Sequence, residues 1–347
     1  MIRIFRFFLC LCLLLPLLAC RSSQPWQGNT ILGRTMGTTY QIKIARVALS
    51  EKNLIEIKQQ IDSVLLIINK QMSTYDPQSE LSLFNAWTDT SSFLVSEPLV
   101  TVIQMALKVN LESHGYFDVT VAPLVDLWGF GKKSRELIPP SKLQVEEIRK
   151  RIGSKYLVIV DHTHLQKTRP SLEVDLSAVA KGYGVDKVAE LLDSLGYKNY
   201  LVEIGGELVS RGLNNNGQSW KIAIDRPQFA SLPGEDIIEK LSLPDAAVAT
   251  SGDYRNYFEY KGHKYSHTID PFTGFPVQHN LASVTVITGN CTRADALATA
   301  VMAMGKEKGL NWIENIPAAE ALLIVRLPNG MYEEYQTSGF GKYLIKE

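Results

Sequence analysis

From residue 200 to residue 288 the chain presents a series of short strand-like runs joined by connections too short for a crossover helix. This limits the fold more than any other feature. Residues 200–204, 208–211 and 220–224 are separated by Gly205-Gly206 and by the turn Asn214-Asn215-Asn216-Gly217. Residues 246–250, 254–260, 264–268 and 283–288 follow, and residues 321–327 read as a late strand. Parallel neighbours need a connection of a dozen or more residues, so much of the sheet must be antiparallel. Residues 225–243 read as a surface excursion, because Asp, Pro and Gly break their apolar pattern.

Upstream, residues 38–45 alternate with Tyr40, Ile42 and Ile44 on one face, which predicts a strand. Leu54, Ile57, Ile61, Val64, Leu65 and Ile68 recur at steps of three and four and predict an amphipathic helix. A polar loop around Asp76-Pro77 comes next. A second helix starts after the candidate cap Ser96, with Pro98 in its first turn and Gly115 at its close. Residues 172–176 read as a short strand that feeds a helix over 178–195, stopped by Gly196. A last helix covers 294–304 and ends at Gly305. The expected fold class is therefore α+β, with largely antiparallel sheets and packed helices in one globular unit over residues 30–347. That unit is divisible at most into two lobes.

Lys and Arg number 36 and Asp and Glu number 36, so net charge offers no argument for nucleic-acid binding. Phosphate recognition, if present, must be local. The four cysteines are Cys10, Cys12, Cys20 and Cys291, which leaves the folded body with neither a disulfide framework nor a cysteine zinc site. Cys291 reads as a packed thiol.

Arg3 and Arg6 precede an apolar run over residues 7–19 that only Pro16 interrupts. It is shorter than the ~20 residues a spanning helix needs, so it reads as a secretory leader. It ends in Leu17-Leu18-Ala19-Cys20, which resembles the bacterial lipobox. On that reading residues 1–19 are a signal peptide, Cys20 is lipidated and residues 20–29 are a tether. The other reading is an ordinary secretory peptide cut elsewhere. More than one acyl chain on Cys20 would anchor the protein stably, one chain alone being marginal.

Generic catalytic motifs fail. The chain has no G-x-x-x-x-G-K-[ST], no G-x-G-x-x-G, no H-E-x-x-H, no C-x-x-C and no G-x-S-x-G. Four constellations remain. Residues 115–131 are rich in aromatics and glycine, and read either as a packed corner with Phe117 and Trp128 in the core or as a wall for a flat ring. Residues 175–186 lead from Asp175 through Lys181 into a helix start, where amides and an ammonium suit a phosphate. The plainer alternative is that Asp175 is a cap and Lys181 a solvated side chain. His267 stands beside the Asp270-Pro271 turn, either as a structural histidine or as a general base. Asp295 and Thr299 lie four apart on an otherwise apolar helix. They read as a cap with a back-bonded threonine or as oxygen ligands of the kind Mg²⁺ takes.

Together these segments resemble the ApbE family, the FAD:protein FMN transferases. The resemblance runs through Thr35-Met36-Gly37-Thr38, Met72-Ser73-Thr74-Tyr75-Asp76, residues 115–131 and residues 175–184. It continues through Val202-Glu203-Ile204-Gly205-Gly206-Glu207-Leu208, Thr250-Ser251-Gly252-Asp253-Tyr254, residues 267–274 and residues 294–300, nearly the whole body in the family's order. It implies a T-fold-like unit. It also implies that Met36, Tyr75, Tyr116, Phe117, Asp118, Asp175, Lys181 and Ile269 contact FAD. Mg²⁺ is implied at a backbone oxygen of Ala178 and at Asp295 and Thr299. Many members carry a second aspartate where this chain has Ala298, so that position offers only its carbonyl or a water. Lys181 likewise stands where some members have an acid.

The implied activity moves the FMN part of FAD onto a Thr or Ser hydroxyl of a target flavoprotein, with release of AMP. His267 is the candidate base, and Asp270, the second candidate catalytic residue, organises its turn and is the candidate to orient its ring. Membrane redox-complex subunits are the implied acceptors, in a periplasm-facing setting within the cell envelope. Two other functions use the same residues: a Mg²⁺-dependent FAD pyrophosphatase, and a non-catalytic FAD-binding lipoprotein.

Overall fold

A computed structural model describes residues 29–132, 137–229, 234–254 and 256–345 of the protein. The expected signal peptide, Cys20 and all of the tether except Asn29 lie outside the described residues. In chain order the elements are β1 (Asn29–Thr35), β2 (Thr38–Ile44), α1 (Glu51–Met72), α2 (Glu80–Ala86), β3 (Phe93–Leu94), α3 (Glu97–Glu112), α4 (Ala122–Leu127) and α5 (Lys142–Arg149). They continue with β4 (Leu157–Asp161), β5 (His164–Lys167), α6 (Ala180–Ser194), β6 (Tyr200–Ile204), β7 (Glu207–Arg211), β8 (Trp220–Asp225), β9 (Ile237–Leu243) and β10 (Ala246–Gly252). The last are β11 (Tyr257–Tyr260), β12 (His263–Ser266), β13 (Leu281–Thr288), α7 (Cys291–Met304), α8 (Lys306–Glu314), β14 (Glu320–Arg326) and β15 (Tyr332–Gln336).

One sheet organises the molecule. Its eight strands run β1-β2-β6-β7-β10-β13-β14-β15, and every neighbouring pair is antiparallel; short connections require this for β1–β2, β6–β7 and β14–β15, while the other pairs are joined through long segments. Alternation splits each inner strand between two cores. Tyr200, Val202 and Ile204 of β6 face α1 and α6, whereas Leu201 faces the other side. In β14, Ala321, Leu323 and Val325 face the helix layer and Leu322 and Ile324 face away. Burial on both faces explains why β13 is buried at every position.

The second face is covered by the hairpin β8–β9, and this corrects the expected surface excursion over 225–243. Leu241 and Leu243 of β9 are fully buried beneath the sheet with Trp220, Ile224 and Phe340. The alternation of Leu241, Ser242 and Leu243 is the strand signal, hidden by the Asp-, Pro- and Gly-rich approach. The expected strand at 172–176 has no sheet partner either. The Asn85 side-chain amide takes a neighbour's place, donating Nδ2–H to the Val174 carbonyl and accepting the Val174 N–H, each at 2.8 Å. The helix expected from 178 begins at Ala180, and the one expected from 294 begins at Cys291, capped by Asn290, whose side chain accepts from the Arg293 N–H. Ser96 occupies the cap position of α3, but its hydroxyl makes no capping bond. Among the described residues no helix is long and apolar enough to cross a membrane.

α6 and α7 lie on the helix side, where α6 packs against β6 and β7 and α7 against β10 and β13. They touch at Gly182. A methyl group there would sit 2.3 Å from the Cys291 carbonyl oxygen, so only glycine allows the two backbones to come this close. Gly182→Ala should therefore cost about 1–3 kcal/mol by overpacking and lower the thermal midpoint. Gly289→Ala, whose methyl meets open space, should leave it nearly unchanged, and thermal unfolding of both variants checks the contrast.

Candidate active site

The helix contact is closed by carboxylates working in both directions. Asp186 of α6 accepts the Cys291 N–H at 2.9 Å, the Thr292 N–H at 2.8 Å and the Thr292 hydroxyl at 2.6 Å. Asp295 of α7 accepts the Gly182 N–H at 3.1 Å through Oδ2. The first amides of a helix have no partner within it; Asp295 supplies α6 with the side-chain cap it lacks, and Asp186 takes the α7 amides that Asn290 leaves unpaired. Burial raises both carboxyls above the usual carboxylate range. Asp295 is thus a cap, but for a helix other than its own.

Lys181, the residue before Gly182, turns its ammonium onto Glu207 of β7, with Nζ 2.6 Å from Oε1. It is not the solvated lysine of the plainer reading. Burial alone would push the ammonium down, but Asp295 and Glu207 outweigh that and hold it above its ordinary range. The lysine side chain keeps 30% of its surface open while that of Glu207 keeps 3%. Burial also pushes the Glu207 carboxyl up, with Lys181 opposing the shift. Glu207 Oε2 is buried without a hydrogen-bond partner. Sequence reasoning assigned Glu207 no role. Its signal was an acid opening an apolar strand directly after the Gly205-Gly206 turn.

His267 follows β12. Its backbone N–H donates to the Asn256 carbonyl at 3.1 Å, and its ring Nδ1 lies 3.0 Å from the same oxygen. A carbonyl only accepts, so Nδ1 carries the proton and Nε2 is left with a lone pair. Burial, with the nearby Lys181 charge, lowers the imidazole below its ordinary range, which favours the neutral ring. The ring is oriented by Asn256 rather than by Asp270. Asp270 organises the turn, as expected: its carboxylate accepts the Phe272 N–H at 2.8 Å and the Thr273 hydroxyl at 3.1 Å.

The aromatic segment 115–131 supports this loop. Trp128 is buried, donates Nε1–H to the Gly274 carbonyl at 2.8 Å and stacks on Tyr265 at 5.5 Å, while Phe130 meets the His267 ring edge-on at 6.3 Å. Phe117 is also core, so the packed-corner reading holds for these two side chains. Tyr116 is half-buried, meets Phe272 at 4.9 Å and lines a cleft of about 560 Å³ with Asp270, His279 and Lys308. Asp118 is committed to the Thr120 N–H, the Thr120 hydroxyl and Ser154.

Of the remaining positions, Met36, Tyr75, Asp175 and Ala178 lie near the start of α6. Asp175 accepts the Ser177 N–H at 2.8 Å in the turn before α6, and that turn also carries Ala178. Tyr75 is 69% exposed, and burial with the charges of Asp175 and Asp126 raises its phenol. Met36, at a positive φ of 49°, points its methyl end toward Gly184 of α6. The Ile269 side chain is buried beside Trp128, which leaves its backbone for contact. Cys291 opens α7 rather than preceding it, is fully buried and has its thiol pushed well above the ordinary range by burial.

The donor set suits a divalent cation of the magnesium type. Asp295 has a second oxygen beyond its cap bond, and Thr299 offers a half-buried hydroxyl 3.2 Å from Ser251 Oγ. Ala178 contributes a carbonyl in the turn leading into α6. Ala298 is fully buried in the apolar core, so its side chain contributes nothing. Among the described residues no three His, Cys, Asp or Glu side chains form a metal-binding group.

A family model described as "ApbE family" matches residues 36–323. The FAD:protein FMN transferase of Vibrio cholerae is 44% identical over 333 residues, covering 95% of this chain and 97% of the relative. The enzyme of the same name from Haemophilus influenzae is 39% identical, covering 90% of each chain. Among solved structures, the flavin transferase ApbE from V. cholerae superposes with a TM-score of 0.82 at 42% identity, covering 92% of this chain and 99% of that one. The Thermotoga maritima ApbE protein superposes with a TM-score of 0.80 at 29% identity, covering 92% of this chain and all of that one.

The reciprocal caps yield a stability test. Asp186→Ala strands two buried α7 amides and should cost about 3 kcal/mol. Asp186→Asn, which keeps one carbonyl acceptor, should cost less. Urea denaturation should show both as shifts of midpoint with little change in slope.

Proposed function

The chain belongs to the ApbE family, and from that premise we propose that it is an FAD:protein FMN transferase. It moves the FMN phosphoryl group of FAD onto a threonine or serine hydroxyl of an acceptor flavoprotein. Besides the near full-length match to enzymes of that name, one observation carries the reading: the D-L-S turn, α7 and the His267 loop converge. Lys181 acts electrostatically on Asp295, Glu207 and His267 at once.

The residues divide the work. Lys181 offers its ammonium to the diphosphate, and the helix start supplies amides near it. Met36, Tyr75, Tyr116 and Asp175 would hold FAD, with backbone groups of Phe117 and Ile269. Asp118 braces that wall through Thr120 and Ser154. His267 Nε2 takes the acceptor hydroxyl proton. The new bond forms from that oxygen to the FMN phosphorus, and the bond from the phosphorus to the oxygen of the departing AMP breaks. A positioned base is worth about 10²–10⁴-fold. Asp295, Thr299 and the carbonyl of Ala178 would hold Mg²⁺, with water in place of a ligand at Ala298, whose carbonyl lies within the α7 hydrogen-bond ladder; the bound ion would offset diphosphate charge and that of the leaving AMP.

We also propose that the protein is an exported lipoprotein, anchored through Cys20 and facing the periplasm. The basic start, the short apolar run and Leu-Leu-Ala-Cys support this. Its acceptors are then exported or membrane-bound flavoproteins, including subunits of membrane redox complexes. Cys20→Ala should move the protein from the membrane pellet to the soluble or unprocessed fraction, and unchanged acylation and anchoring would exclude Cys20 as the lipid site.

The activity is tested by incubating the protein with FAD, Mg²⁺ and a flavoprotein carrying the family's acceptor motif D-[ST]-x-x-x-[AT]-[ST]. Intact mass should show the acceptor gaining FMN. FMN and AMP released into solution, with the acceptor unchanged, would instead identify a hydrolase. His267→Ala should reduce transfer by about 10²–10⁴-fold and leave FAD binding largely intact. Because the ring is held below its ordinary range, the acidic limb of the wild-type rate should fall below pH ~6.5 and vanish in the variant. A limb that persists in His267→Ala would assign it to another group.

A further inference from the structure

Lys181, Glu207 and Asp295 form a cluster with two carboxylates and one ammonium. Lys181 acts electrostatically on both acids, yet its ion pair is with Glu207 alone, at 2.6 Å. Asp295 spends Oδ2 on the Gly182 N–H and forms no ion pair with the lysine. One ammonium therefore has two acidic neighbours and is held by the one on β7.

Glu207 is built for that task. Its place is set on one side by the Gly205-Gly206 turn and the pairing of Ile204 with Glu207, and its residue is 2% exposed. A buried carboxylate with one oxygen unpartnered is costly to keep, and Oε2 is so placed. Losing the charge on Glu207 would leave Asp295 as the strongest anion near the Lys181 ammonium. The ammonium would then compete for the carboxylate that a divalent cation needs.

We propose that Glu207 is a positioning residue that holds the Lys181 ammonium off Asp295 and so keeps Asp295 available to a divalent cation. This rests on the reading of Asp295 as a cation ligand. It assigns Glu207 an indirect role through Lys181, not a place in the cation's own shell.

The test uses Mn²⁺ as probe, with the full chain and no FAD or acceptor, and counts free ion by electron paramagnetic resonance. Glu207→Gln keeps shape and removes charge, and should weaken Mn²⁺ binding by about 10-fold or more. Adding Lys181→Met in that background removes the competing ammonium and should restore most of the affinity. Glu207→Asp, which keeps the charge, should lie closer to wild type than Glu207→Gln. Wild-type affinity in a folded Glu207→Gln overturns the proposal. So does a double variant as weak as the single, which would make Glu207 a ligand or a purely structural residue. If Glu207→Gln does not fold, by circular dichroism, Glu207→Asp carries the test: a loss of 10-fold or more in that folded variant overturns the role of the charge. Asp295→Asn with unchanged Mn²⁺ affinity removes the premise itself, an outcome separate from the others.

Discussion

Two helices that cap each other hold this molecule's chemistry in place. Asp186 on α6 satisfies the first amides of α7, Asp295 on α7 satisfies an amide of the first turn of α6, and Gly182 lets the backbones meet. Buried amides without partners are costly, so the two carboxylates bind the helices in one relative position. That position puts Lys181 beside Asp295 and within reach of Glu207 on the sheet. The same bonds that stabilise the helix pair therefore assemble the charged end of the site.

The sheet supplies the other half of the rigidity. Its inner strands are buried on both faces, by the helix layer on one side and by β8–β9 on the other. Glu207 enters the site from an inner strand, so its carboxylate is fixed as firmly as the core. His267 is reached differently, through a loop that the sheet does not hold. Trp128, Tyr265 and the Asn256 carbonyl hold it instead, fixing the ring tautomer as well as its place. A chain of zero net charge manages phosphate chemistry because a few groups are concentrated here. No field from the whole protein is needed.

Much of this was legible in the sequence. The short connections pointed to antiparallel pairing, the steps of three and four located α1, and cap and stop residues located α3, α6 and α7. The resemblance to the ApbE family rested on motifs spread through the body, and both the family model and the full-length relatives agree with it. Residues such as β9 and 172–176 were misread because periodicity reports which residues want burial and not what buries them. β9 covers a second sheet face that no local pattern announces, and Val174 takes its partners from a side chain far away in sequence.

Fold class and element types follow from local periodicity and turn residues, and motif identity points to candidate side chains without singling out Glu207. What those side chains do to one another is set by distance and burial in the folded chain. Asp295 caps a helix other than its own, Lys181 pairs with Glu207 instead of Asp295, and His267 presents Nε2 because Asn256 occupies Nδ1. Each of these is a choice among partners distant along the chain. Spacing in sequence cannot make that choice, because distance and burial set the energies of buried charges and hydrogen bonds.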